Sequence, residues 1–137
     1  MNYTSLALAA FGGTVAYFAY GFIVFALLPI LNKEYRKYPA VYRTQEDMKT
    51  VMPIGFVTTF IGIVVATVIF AMINEGRSGV SAGAYFGVLM GIFVVCGFVF
   101  HNHVNLNIGW RLTIGQAIAY FFEWIVVGAV IGLIYKP

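Results

Sequence analysis

Glu123 lies near the centre of "QAIAYFFEWIVVGAVIGLIY", Gln116 to Tyr135, a stretch otherwise apolar enough to cross a lipid bilayer. At about 100° per residue on a helix, Thr113, Gln116, Tyr120, Glu123 and Val127 fall on one stripe. A charged, unpaired carboxyl group in hydrocarbon costs on the order of 2.5–3.5 kcal/mol by insertion scales, so this stripe is expected to face inward. No basic residue stands inside an apolar run to pair with Glu123, which is therefore expected to be neutral or hydrogen-bonded. Tyr17 and Tyr20 of the first apolar run fall at the same depth, with Thr59 and Thr67 of the second to either side. As a structural lock, Glu123 would accept a hydrogen bond from Tyr17 or Tyr20; as a functional group, it would exchange a proton or coordinate a cation. A relay for the second role could draw on Gln116, Tyr120 and the histidines, but it leaves a gap toward the far side of the membrane.

Those histidines, His101 and His103, share seven positions with three asparagines in "HNHVNLN". On a helix they point in different directions, whereas an extended backbone could bring both rings to one metal or one acceptor. Two nitrogens need further ligands, from asparagine, backbone carbonyls, another chain, or Glu46 and Asp47. The expectation is a polar cap on two helix ends, with no metal and no cofactor. An axial-ligand role in a pigment protein or membrane enzyme would rest on the histidines alone. Cys96 is the single cysteine, inside the third apolar run, so neither an intrachain disulfide nor a cysteine metal cluster is available, and a small packing residue is expected.

The elements that must position these groups follow from composition. Of 137 residues 61% are hydrophobic and only 9% charged, with a mean hydropathy of +0.90, against about 25% charged in soluble domains. A hydrocarbon core of roughly 30 Å needs about 20 apolar residues per helix, and four runs satisfy this, approximately 3–31, 52–73, 80–100 and 112–135. Helices are expected, because lipid offers the backbone no partners and the runs lack the alternation of barrel strands. The fold class is all-α: one polytopic domain of four transmembrane helices in an up-down bundle. The first run lacks a positive start and reads as a retained span. Lys33, Arg36, Lys37, Arg43, Lys49 and Arg111 lie on one side of the membrane, and Arg77 and Lys136 on the other. That asymmetry places the basic side in the cytoplasm and both termini outside, in a cell inner membrane. The net charge of +3 is thus topological and does not point to nucleic acid.

The loop "NKEYRKYPAVYRTQEDMKT", Asn32 to Thr50, is the one segment with room for structure outside the hydrocarbon. Tyr35, Tyr38 and Tyr42 at near-helical spacing among basic residues suit a stretch lying at the headgroups. Its charges serve as an anchor, and could also draw anionic lipid or a cytoplasmic partner. Pro39 interrupts a helix there, and Thr44 with Asp47 reads as a capping box that starts the second helix inside the loop. The external connection "NEGRSG" reads as a tight turn. Gly83, Gly87 and Gly91 in the third run, Gly128 and Gly132 in the fourth, Gly62 and Ala66 in the second, and Ala9 and Gly13 in the first recur at four-residue spacing. Such spacing lets helices approach closely in lipid, within one bundle or against another protein.

The start "MNYTSLALAAFGGTVAYFAYG", the third-run pattern "GVLMGIFVVCGFVF" and the end "IGQAIAYFFEWIVVGAVIGLIY" resemble an uncharacterised family of small four-span bacterial membrane proteins, classed as a domain of unknown function. Gly115, Tyr120, Gly128 and Gly132 reproduce its last-helix pattern of a small start, an aromatic and a Gly-x-x-x-Gly close. Tyr17 and Tyr20 stand where that family carries tryptophans. The resemblance implies the four-span topology and no activity. The reading is of a non-catalytic membrane protein, an accessory or packing subunit whose partners are the bilayer and other membrane subunits or copies of itself. The alternative is a small oligomeric transporter or channel using Glu123.

Overall fold

The computed structural model describes residues 1–74 and 77–137, with the side chain of Gln45 also outside the description. The expected tight turn over "NEGRSG" therefore falls partly outside the described residues. Among the described residues, five of six α-helices and two π-helical segments make up four membrane-compatible spans, with no strand. The first span is α1 (Tyr3–Gly21) continued by a π segment (Phe22–Leu27), and α2 (Pro29–Tyr35) follows outside it. The second is α3 (Gln45–Ile73). The third joins α4 (Val80–Val94), a second π segment (Val95–Phe100) and α5 (His101–Asn105), and the fourth is α6 (Trp110–Ile134).

Local chemistry sets the helix ends. Asn2 caps α1 by accepting from the Ser5 amide at 3.1 Å. Leu28 is extended at φ −80° and ψ 119° because the following Pro29 disfavours the helical region. Pro29 then opens α2 from its first turn, where its missing N–H costs nothing. The first span thus stops at Leu27, not at Leu31 as the apolar run alone suggests. Thr44 caps α3, accepting from the Asp47 amide at 3.2 Å while its hydroxyl donates to Asp47 Oδ2 at 2.8 Å. The third span runs past its apolar stretch to Asn105, where Leu106 turns extended. Spans of 25 to 28 residues rise about 38–42 Å, longer than a 30 Å core, so their ends stand in the headgroups or the helices tilt.

The tightest packing joins α4 to α6. A Cβ placed on Gly83 would strike the Gly128 carbonyl, and one on Gly128 would strike the Gly83 carbonyl. Gly87 lies against the Trp124 carbonyl, Gly132 against Gly79 and Gly83, and Gly91 against Phe121. The Gly79 amide also donates to the Gly132 carbonyl at 2.7 Å. Backbone-to-backbone approach of this kind maximises dispersion where lipid supplies no hydrophobic drive. Gly62 has nothing within 4 Å of a built Cβ and stays outside any seam in the chain.

Near the termini a dry core forms from Ala9, Ile63, Ala66, Phe70, Phe86, Val127, Ile131 and Tyr135. Phe70 packs edge-on against Phe86 and Tyr135, with ring centroids 5.5 and 5.9 Å apart. Both chain ends meet here: Ser5 Oγ donates to the Ile134 carbonyl at 3.5 Å and accepts from the Lys136 amide. At the opposite, basic end, Leu31, Ile108, Leu112 and Ala119 form a second cluster. Between Glu46 and Gly62 no side chain of α3 is fully buried, and Phe56, tilted on Phe18 of α1 at 4.6 Å between centroids, touches the bundle there while the later turns supply the buried residues. Cys96 is likewise exposed, not a packing residue, because the π segment turns it outward.

Candidate functional site: a one-ended cavity beside Glu123

The polar stripe of α6 faces inward over its whole length. Thr113 and Val127 are fully buried, Glu123 is 1% exposed and Gln116 6%. Partners divide it in two. At the basic end, Gln116 Nε2 donates to the Tyr35 hydroxyl at 2.8 Å and to that of Tyr42 at 3.3 Å. The Gly109 amide donates to the Tyr38 hydroxyl at 2.9 Å, so all three loop tyrosines dock on α6 or its approach. The polar atoms of Gln116 and Gly109 need partners, and the loop hydroxyls supply them. Tyr35 and Tyr42 also meet edge to face, 4.7 Å between centroids. Burial pushes the Tyr35 hydroxyl above its ordinary pKa, so it stays protonated while accepting from Gln116. Glu34, buried on α2, pairs with Lys37 at 2.7 Å and with Arg111 of α6 at 3.3 Å, clamping the loop to the last helix.

Deeper in the stripe, Glu123 Oε2 is buried with no hydrogen-bond partner among the described residues. The expected bond to Tyr17 or Tyr20 is absent among the described residues. Gly21 is the α1 residue that faces the carboxyl, and a Cβ there would stand 3.4 Å from Oε1. Tyr17, one turn earlier on the same face, turns its ring edge-on to Trp124 at 6.5 Å and to Phe18 at 5.6 Å. Tyr20, one residue before Gly21, lies about 100° around the helix from it. Tyr120 takes neither side of the carboxyl, its ring resting between Phe25 at 5.4 Å and Phe98 at 6.3 Å.

Those two phenylalanines come from the two π segments, which flank α6 where Tyr120 emerges. A π turn inserts a residue into a helix, re-aims the side chains after it and recurs at functional sites. Between the segments and the loop lies a cavity of about 670 Å³. Gly21, Phe25, Ala26, Phe98 and Tyr120 line its inner part. Tyr35, Tyr42 and Gln116 form a hydrogen-bonded wall, and Arg36, Arg43, Asn32 and Asn102 line its basic end. Met48 of α3 and Phe98 both line it and are 43% and 53% exposed, so the wall stays open where α3 and the third span stand apart. Gly21 places the inner end of the cavity against Glu123.

The histidines separate. His101 is exposed, while His103 Nδ1 lies 2.8 Å from Thr113 Oγ1 and its ring stacks on Trp110 at 4.0 Å. Thr113 Oγ1 also lies 3.3 Å from the Gly109 carbonyl, which ties the His103 ring to the start of α6. A helical backbone from His101 to Asn105 points the two rings apart. Among the described residues no group of three or more His, Cys, Asp or Glu side chains could hold a metal ion.

The sequence singles out Gln116, Tyr120 and Glu123, and Arg36 and Arg43 as loop charges able to draw anionic lipid, but not their cavity partners Phe25 and Phe98. The loop tyrosines carried a visible signal in their spacing. Their partners lie 71 to 81 residues away, which no local pattern reports.

Fold and site together define a four-span α-helical membrane protein with a cavity at one end. The chain belongs to a family described as a protein of unknown function (DUF1761), whose model matches residues 8–132. No curated protein and no solved structure matches it.

Proposed function

We propose that the protein is a non-catalytic, multi-pass protein of the cytoplasmic membrane, an accessory subunit that holds a guest for a membrane assembly. The observation that carries this reading is that the cavity does not run through the bundle. It opens at the basic end and sideways between α3 and the third span, whereas Ile63, Phe70, Phe86, Val127 and Ile131 fill the bundle toward the termini. A conduit across the membrane needs a mouth at each end of the bundle; a holder does not. The six basic residues at the cavity end against two at the other support a cytoplasmic cavity and external termini. The glycine seam is consumed inside the chain, so partner contact falls to the exposed first half of α3, where Met52, Ile54 and Val57 stand exposed. Purification in gentle detergent tests the reading: a stoichiometric membrane partner is expected, and a monodisperse monomer whose deletion alters no membrane complex overturns it.

A second reading, a small proton-responsive transporter, draws support from the orphaned Oε2 of Glu123. In vesicles loaded with a pH-sensitive dye, a flux lost on Glu123→Gln would establish it and displace the first.

A further inference from the structure

The cavity's volume of about 670 Å³ sits inside the roughly 300–1,000 Å³ range of sites for one small ligand. Its chemistry is graded from end to end. Arg36 and Arg43 line the basic end, and among the described residues neither takes part in an ion pair. Asp47, close in sequence to that rim, is turned onto the Thr44 hydroxyl. Arg36 Nε is steadied by Asn32 Oδ1 at 3.2 Å, which leaves its two terminal nitrogens for another acceptor. Inward the lining becomes Phe25, Ala26, Phe98 and Tyr120, and Met48 and Phe98 are exposed on the flank of the bundle.

These features select a ligand class. Paired guanidinium groups favour a phosphate, which they bind by charge-assisted and bidentate hydrogen bonds. The aromatic interior favours a hydrocarbon chain and penalises a wholly polar metabolite, whose groups would be desolvated without partners. The sideways opening favours a ligand that arrives from the membrane. We propose that the cavity binds one lipid with a net-negative phosphate monoester head, its phosphate between Arg36 and Arg43 and one chain against Phe25, Phe98 and Tyr120. This rests on the reading of the protein as a non-catalytic holder, and names what it holds.

Native mass spectrometry of the purified full chain in neutral detergent tests it, with oleoyl lysophosphatidic acid as probe. Oleoyl lysophosphatidylcholine supplies the same chain with a cation on its head, and glycerol 3-phosphate supplies the head alone. One lysophosphatidic acid per chain is expected, saturably and roughly tenfold tighter than lysophosphatidylcholine, from the attraction of the two arginines. The double substitution Arg36→Gln with Arg43→Gln, on exposed side chains, is expected to remove that roughly tenfold preference. Ala26→Trp, which fills the inner cavity from an exposed position, is expected to abolish one-to-one binding with the helix content by circular dichroism unchanged.

Equal binding of the two lysolipids, or an unaltered preference in the arginine variant, overturns the site. Unaltered binding in Ala26→Trp places the lipid on the loop surface and overturns the cavity as its seat. Glycerol 3-phosphate binding as tightly as the lipid identifies a soluble phosphate ligand and overturns the lipid assignment. Breakdown of the probe to free oleate would sink the non-catalytic reading while leaving the site standing; absence of saturable binding sinks the site while leaving that reading.

Discussion

At the scale of the residue, Glu123 and Gln116 stand one helix face apart in energetic meaning although they share a stripe. Gln116 is satisfied by two tyrosine hydroxyls. Replacing it with Leu leaves those hydroxyls buried against an apolar chain, and a loss of about 1–3 kcal/mol is expected, read as a lower midpoint of thermal unfolding in detergent. Glu123 carries a carboxyl oxygen without a partner among the described residues, so Glu123→Met removes a buried polar group and no described hydrogen bond. The expected change is within about 1 kcal/mol of zero or stabilising, by the same measurement. A drop of several degrees in Glu123→Met would mean that the carboxyl is a structural lock after all. The stripe itself was legible from helical geometry. Which of its members would find partners was not, because Gly21 and the ring directions of Tyr17 and Tyr120 decide that.

At the scale of the element, the glycines divide by what they face. Gly83 and Gly128 approach each other's backbones, and a backbone cannot rotate away as a side chain can. Gly83→Val is therefore expected to cost more than the roughly 1–3 kcal/mol of ordinary overpacking, and to appear as loss of folded protein in a fluorescence-detected size-exclusion profile. Gly62 has open space around it, and Gly62→Ala is expected to leave the same profile unchanged. Four-residue spacing alone ranked these positions equally. The difference arises because α4 lies flat on α6 while the glycine face of α3 points away from the chain. Helix ends followed a similar pattern: Thr44 and Asp47 announced the start of α3 in the sequence, and the stop at Leu28 was hidden by an apolar run that continues to Leu31. Pro29 carried that signal, since a proline restricts the residue before it whatever the hydropathy.

At the scale of the whole molecule, the two ends of the bundle differ in kind. The terminal end is packed by interlocking aromatic rings; the basic end holds a cavity behind an ordered loop. With the basic end cytoplasmic, a reporter active only in the cytoplasm is expected to be silent after Pro137 and active when inserted at Asn107, in the exposed connection between α5 and α6. Activity at the C-terminus would reverse the proposed topology and move the cavity to the other leaflet.

Composition and run length were enough to determine an all-helical, four-span membrane protein, because hydrocarbon leaves a polar backbone no other way to satisfy itself over 30 Å. Helical periodicity likewise placed Glu123 on an inward stripe and gathered the glycines into candidate seams. Tertiary structure alone decided that the α4 and α6 glycines meet each other, that the loop tyrosines fold back onto Gln116 and Gly109, and that Glu123 faces Gly21 in place of a hydroxyl. It also decided that two π segments open a cavity beside that carboxyl. Each of these joins residues far apart in the chain, and in lipid no burial pattern marks the faces that meet: core and exterior are both apolar, so contact is chosen by shape and by the partners of a few polar atoms.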